Sequence, residues 1–457
     1  MGAPCVAFDP EVPVAEPAGD ATVRPGLTPF DVTVMVVSIV LGVGIFQTPS
    51  LVAQHSGDAT AFVLLWLLGG LITVTGALCY AELGSARPDA GGEYAFLREA
   101  YGRRLALLFA WARCAVTQPG AIAAAAFVAG DYAAVVAPLG AYGPGVYAFA
   151  SVVLFTLVNH VGTTPGKWVQ RGVEGITVLA LLGILIAAFT VPAPPAPAGT
   201  PQATSLGGTG LAMMFVLLTY GGWNEAAYLS GELQDARRTM ARALVVGVLV
   251  VVGVSLAINL AYLHVLGLDG IRESDAVGAA MMRAVAGSTG ATITSVVVVL
   301  SALTTLNGLI ITGARAYYAL GRDVAAFRAI GTWRQRGATP ANALLLQGAA
   351  AAVLVAFGTV TRVGFRAMAA YTAPVFWGFT LLIALSVHVF RRREAGGGGR
   401  PHYRVPFYPV TPAVFALGSL WVLWSSLFYA GWGSVVGVVV LLAGTPLLFL
   451  EPADRRR

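Results

Sequence analysis

Charge is what this chain has least of. Asp, Glu, Lys and Arg make up 11% of its 457 residues, while 57% are hydrophobic. A soluble domain carries about 25% charged residues, so too little polar surface is available here to cover the chain in water. The many apolar runs of 18 residues or more point to membrane helices rather than a barrel. Cysteine is nearly absent: Cys5 lies in a polar stretch, and Cys79 and Cys114 lie in apolar runs. That leaves no candidate disulfide or thiolate metal site, and no cysteine in an outside loop to hold a disulfide-linked heavy subunit, so none is expected. The five histidines are scattered, and neither HExxH nor GxSxG occurs. An enzyme, which needs a nucleophile or metal constellation, is therefore not expected. The first 25 residues lack an apolar core, which argues against a secretory signal. Rich in Pro, Ala and Gly, residues 1–25 read as a disordered cytoplasmic tail. The net charge of +6 does not point to nucleic acid, because the basic residues sit in short loops between apolar runs.

Those runs number twelve, at about 29–53, 59–83, 104–135, 143–161, 169–190, 209–229, 241–266, 289–318, 341–360, 367–390, 408–429 and 432–450. With the N-terminus in the cytoplasm, 22 of the 28 basic residues fall inside and four outside. This strong positive-inside bias puts both termini in the cytoplasm of a multi-pass protein of the cytoplasmic (inner or plasma) membrane. The connection 267–288 lies outside and is long enough for a short helix lying over the outer face as a lid.

What the chain has in abundance is glycine, at 55 residues, and two placements stand out. The first run reads "SIVLGVGIFQTPS", with Gly42-Val43-Gly44 near its centre and Pro49 beyond. The sixth reads "LAMMFVLLTYGGWNEAAYLSGEL", with Gly221-Gly222 at its middle. Glycine costs about 1 kcal/mol in a helix and proline more. Small residues also let membrane helices pack closely, so one pair alone says little. Two breaks five spans apart say more. Because five is odd, the second set of five enters the membrane from the opposite side, giving an inverted repeat. Broken helices in such repeats meet near the midplane. Their freed N–H groups suit an anion and their freed carbonyls a cation. Amides at Val43, Gly44 and Ile45 are placed to hold a carboxylate. Carbonyls at Val40, Leu218, Thr219 and Gly221 are placed to hold an ammonium. A zwitterion satisfies both. The expected substrate-binding set is Val40, Gly42, Val43, Gly44, Ile45, Leu218, Thr219, Tyr220, Gly221, Trp223 and Asn224.

These stretches resemble the amino acid–polyamine–organocation superfamily. "LGVGIFQTP" is similar to its first-helix signature, and "YGGWNEAAYLSGELQDARRTMARAL" to the sixth-helix stretch of its L-type amino acid transporter branch. "RPDAGGEYAFLREAYG", "GKWVQRGVEGITVL" and "TTLNGLIITGARAYYALGRD" resemble further segments. The resemblance implies an all-α membrane protein of 12 transmembrane helices, with a LeuT-type 5+5 inverted repeat and broken helices 1 and 6. It also implies a permease moving amino acids by alternating access. The expected parts are the tail 1–25, a first repeat at 26–190, a second at 205–393 and peripheral spans 11–12 at 405–450. Two departures matter. Val43 replaces the usual serine, so the carboxylate would rest on backbone amides. Ala180 replaces a lysine that fills a sodium site and serves proton coupling in some members.

Around the breaks, Ile45, Ala115, Thr219, Tyr220 and Trp223 are expected to line a side-chain pocket. No carboxylate is evident there, which favours a neutral amino acid over a polyamine or other organocation; a non-transporting amino-acid sensor stays open. Thr304 and Thr305, with Asn307 nearby, are either a hydroxyl ion site or interhelical hydrogen bonders. No cofactor is expected beyond a coupling ion, Na+ or H+. Partners are the amino acid and the lipid bilayer, with no nucleic acid; the chain is a monomer or a homodimer. Arg113, Gln118 and Asp131 are polar residues within the third span, where Gln118 is expected to face the pocket. Glu93, Arg98, Glu99, Glu232, Asp235, Arg237 and Arg238 are candidates for gating ion pairs or for solvated loops.

Overall fold

The computed structural model describes residues 43–87, 91–161, 167–190, 205–229, 236–324, 327–333, 339–362, 364–394 and 403–449, with Thr33, Val37 and Val40 before them. The tail 1–25, Gly42, Glu232 and Asp235 therefore lie outside the described residues. So does most of the Pro/Gly-rich connection after the fifth run.

All the regular elements described are helical. In chain order they are α1 Gly44–Gln54, α2 Ala59–Ala86, α3 Gly92–Tyr101, α4 Arg103–Val136, α5 Gly143–Val161, α6 Lys167–Ala188, α7 Leu206–Thr219, α8 Ala236–Arg272, α9 Val277–Asp323, α10 Ala341–Thr361, α11 Gly364–Glu394, α12 Val410–Tyr429 and α13 Trp432–Leu442. Nine of the described helices are long and apolar enough to cross a membrane; a further two apolar stretches, Gly175–Ala188 and Leu206–Thr219, are shorter.

Local chemistry sets several starts. The Asp58 carboxylate accepts from Ala61 N at 2.7 Å and caps α2, and the Ser205 hydroxyl caps α7 through Gly208 N. Each satisfies a donor that its helix cannot. α4 is not uniform. Residues Arg113–Thr117 form a π turn between two α-helical stretches, just before Pro119, which has no N–H to give.

The packing puts the two broken elements at the centre. α1 lies against α7, α2 against α8, and α4 against α9, α5 and α11. α1 is buried from Ile45 to Ala53, as is α7 from Gly210 to Leu217. The side chains turned to the surface are largely apolar, among them Leu64, Leu71, Leu154, Leu179 and Ile186. Such an exterior fits lipid rather than water.

The connection 267–288 differs from the single short helix expected. α8 bends at Gly267 (φ 66°, ψ 173°) and ends at Arg272. α9 begins at Val277 and bends at Ala286–Gly287. Two short helical pieces result, and the first lies on the C-terminal end of α1. There the Arg272 guanidinium donates to Ala53 O at 3.0 Å and Ser56 O at 2.6 Å, while Gln54 Nε2 donates to Arg272 O at 3.1 Å. A cation on the last carbonyls of a helix is favourable for the helix dipole, and at Ala53 O it adds to the bond from Ser56 N at 3.2 Å.

Candidate functional site

The α7 break is present, and a helix begins at the first glycine pair, whose Gly42 lies outside the described residues. α1 starts at Gly44, with Val43 just before it. The first amides of a helix have no acceptor in their own helix, and Val43, Gly44 and Ile45 hold those positions. α7 ends at Thr219, and the chain then passes through Tyr220 and Gly221 to Gly222. Gly222 has φ 105° and ψ −22°, left-handed space that favours glycine. A single 3₁₀ turn, Trp223–Glu225, and one α turn, Ala226–Leu229, follow.

The breaks meet. A Cβ on Gly44 would lie 3.0 Å from Thr219 Cα, so the contact is backbone to backbone. Beside it the hydroxyls of Thr48 and Thr219 are hydrogen-bonded to each other. Thr48 also donates to Gly44 O, one turn back, at 3.0 Å, and Thr219 to Phe215 O at 2.9 Å. Sequence reasoning missed Thr48. Its signal was present, since a residue four after Gly44 shares its helix face.

Some expected ligands are already engaged. Gly221 N donates to Leu218 O at 3.2 Å, so that carbonyl has a partner. Tyr220 is fully buried; its ring packs edge-on against Trp66 and its hydroxyl donates to Trp66 O at 3.1 Å. It fastens the break to α2 rather than lining a pocket. Trp223 does line one. A small cavity lies against Gly221, Trp223 and Asn224, walled by Tyr80, Phe376 and Phe415 among others. Ile45 is buried. Ala115 is half-buried, and its carbonyl accepts from Tyr371.

The polar residues of the third run also find partners. Gln118 Nε2 donates to Leu309 O at 2.8 Å, so it ties α4 to α9 instead of facing a pocket. Asp131 accepts from Gln47 Nε2 of α1 at 3.0 Å. Beside it the Tyr132 hydroxyl donates to Phe46 O at 2.8 Å and accepts from Gly278 N at 3.1 Å. Thr304 donates to Leu300 O within its own helix, and Asn307 accepts from Asn159. Thr304 and Thr305 are half-buried. Ala180 is half-buried on α6.

Past the α7 break lies a cluster of charges. Arg113 Nη2 donates to both carboxylate oxygens of Glu225, at 3.1 and 3.0 Å. Glu93 Oε2 is 3.8 Å from Arg113 Nη1. Glu93 Oε1 accepts from the Tyr80 hydroxyl at 2.6 Å and from Asn224 Nδ2 at 3.2 Å. Burial pushes the Glu93 carboxyl above the ordinary carboxylate range. Arg113 opposes that shift and Glu225 adds to it. Among the described residues no group of His, Cys, Asp and Glu has the arrangement of a metal site.

The family model described as amino acid permease matches residues 27–449. The chain is 26% identical over 424 residues to the serine/threonine exchanger SteT of Bacillus subtilis (strain 168), covering 91% of this chain and 94% of that one. It is 27% identical to the human b(0,+)-type amino acid transporter 1, covering 91% and 85%. The human Asc-type amino acid transporter 1 is likewise 27% identical, covering 91% and 80%. A chain of long apolar helices that matches this family model over nearly its whole length is a multi-pass membrane protein of the amino acid permease family, a transporter of amino acids and not an enzyme.

Proposed function

We propose that the protein is a secondary transporter that moves small neutral amino acids across the cytoplasmic membrane by alternating access, with exchange of one amino acid for another as its working mode. Twelve spans, two inverted repeats at 26–190 and 205–393 and cytoplasmic termini complete the reading. The observation that carries it is the backbone contact between Gly44 and Thr219, which joins two helix breaks whose amides and carbonyls suit a zwitterion. The α-carboxylate is assigned to the amides of Val43, Gly44 and Ile45, and the ammonium to carbonyls near Val40, Thr219 and Gly221. The substrate side chain is assigned to the Trp223 side of the break. Two supports favour a small neutral substrate: the apolar wall of Trp223, Phe376 and Phe415, and a relative named as a serine/threonine exchanger. Thr304 and Thr305 are the first place to look for a sodium ion, should sodium drive uptake.

The test is uptake of labelled serine and threonine into proteoliposomes, with and without unlabelled amino acid inside, under sodium and pH gradients. Uptake that requires internal amino acid is the expected result. Flux driven by a sodium gradient alone overturns the exchange mode, and binding without any flux overturns transport. Gly44→Leu is expected to abolish uptake, because its side chain would have to displace Thr219 and part the breaks. An unchanged rate would remove the backbone-ligand assignment.

A further inference from the structure

We propose that Arg366 is a capture site for the carboxylate of an arriving amino acid, at the outer mouth of a path that runs down α7 to its break. The inference rests on the transport reading above, which makes this face the outer one.

A small cavity lies between α7 and the start of α11. Leu211, Met214 and Phe215 of α7 line it with Ala370 of α11 and Ala430, and Arg366 is the one charged residue of its lining. The other five side chains are apolar, so a polar ligand that enters is held by the guanidinium. Leu211, Met214 and Phe215 share one helix face, and the next turn of that face carries Leu218 and Thr219. Thr219 donates to Phe215 O at 2.9 Å and meets Gly44. Phe215 and Thr219 are four residues apart, about 6 Å of helix. The cavity therefore stands one turn outside the place assigned to the substrate.

The cation also faces the end of α1. The Phe215 ring that lines the cavity lies against the His55 ring, with centroids 6.3 Å apart. Burial holds the His55 ring below its ordinary value, and the charge of Arg366 lowers it further. Arg366 is thus within electrostatic reach of both elements that meet at the breaks.

The charges of this face leave the guanidinium available. Arg272 is held by Asp269 and by the carbonyls of Ala53 and Ser56, and Arg362 by the Tyr142 hydroxyl. Asp58 caps α2, and Asp131 accepts from Gln47. Glu273 and Asp275 are exposed on the connection between α8 and α9. Arg366 is exposed, and among the described residues it holds no carboxylate or carbonyl. Residues 191–204 and Val363, which lie outside the described residues on this face, carry no charged side chain. The chain keeps most of its basic residues inside, so an arginine outside with no acceptor needs a reason. A guanidinium pairs with a carboxylate through two parallel N–H bonds. Because Arg366 is exposed, that pairing is weak and weakened further by salt. A weak hold lets the carboxylate pass on to the amides of Val43, Gly44 and Ile45.

Two measurements on the full-length protein test this. The first needs no transport. Ala430→Cys places a thiol in the half-buried wall of the cavity, and its labelling rates with an anionic and a cationic thiosulfonate are compared. The ratio is read because it cancels the effect of a nearby cation on the thiol itself. A preference for the anionic reagent is expected, lost when Arg366→Gln is added and kept with Arg366→Lys. Serine should slow the labelling, and should not do so with Arg366→Gln. A preference retained in Arg366→Gln overturns the site. Labelling that anionic phospholipid slows and serine does not would assign the cation to a lipid phosphate, which also overturns it. The second is serine exchange in proteoliposomes. Arg366→Gln should raise the outer KM about fivefold, as for an exposed charge pair, with kcat and the inner KM kept. Added salt should raise the outer KM of wild type and leave that of Arg366→Gln unmoved. An unchanged outer KM overturns the capture role. If labelling and serine protection behave as expected and wild type exchanges nothing, the transport reading fails while the carboxylate site stands.

Discussion

The two ends of the candidate site are fastened by different chemistry. Around α1, side chains hold backbone. Arg272 sits on the carbonyls of Ala53 and Ser56, and Tyr132 bridges Phe46 O and Gly278 N. Past the α7 break, side chains hold side chains: Arg113, Glu225, Glu93, Tyr80 and Asn224. A backbone carbonyl cannot titrate, although α1 also meets one carboxylate, Asp131, through Gln47. The second set is built on carboxylates and a guanidinium. One end is thus a latch mainly of backbone bonds and the other a latch of shared charge.

Breaking the charged latch should have the largest effect. Arg113→Ala takes the Arg113 guanidinium away from the buried Glu93 carboxyl and from Glu225. Removal of one partner of a buried pair destabilises by roughly 3–5 kcal/mol. A large drop in thermal stability at neutral pH is expected, with part of it recovered at acid pH as Glu93 takes up a proton. Equal losses at both pH values would mean that the Glu93–Arg113 contact carries no charge balance. Arg272→Ala comes next. It removes charge-assisted bonds to two carbonyls, each worth about 1.5–3 kcal/mol. Faster labelling of a cysteine placed near Gln54 should report the freed end of α1, with no change in its pH dependence. Tyr132→Phe deletes one hydroxyl that serves two backbone groups, for a loss of about 1–3 kcal/mol. It should loosen the same end more weakly. The smallest effect belongs to Thr48→Val, which removes the bond to Thr219 but keeps the shape, at about 0.5–1.5 kcal/mol. Its signature is a modest rise in KM for serine with stability nearly intact.

The sequence showed a good deal of this. The apolar runs fall on helices, because in lipid a backbone must bond within its own segment. The breaks at Gly44 and Gly222 were visible because glycine in a helix needs a reason. The contacts between elements were harder. Thr48 meets Thr219 across 171 residues, and Glu93 meets Asn224 across 131. No local pattern carries such a pairing. Glu225 drew no notice as the residue after Asn224, and Arg113 was one of several polar residues in the third span. Each is ordinary alone, and only the fold makes them a pair. Gln118 and Tyr220 went the other way. Gln118 by its mid-span polarity and Tyr220 by its place beside Gly221 suggested the pocket, but buried donors take the nearest carbonyl, here Leu309 O and Trp66 O.

The π turn at Arg113–Thr117 has a consequence for how this protein can be altered. A π turn holds one residue more than the α-helix needs, and each residue of an α-helix turns the chain by about 100°. Deleting a single residue between Arg113 and Thr117 would convert the turn to regular helix. Everything N-terminal to it on α4 would then rotate by about a third of a turn against Gln118–Val136. The guanidinium would swing off Glu225, while Asp131 and Tyr132 kept their hold on α1. The extra residue acts as an index mark between two gears, and a one-residue deletion slips one gear without touching the other.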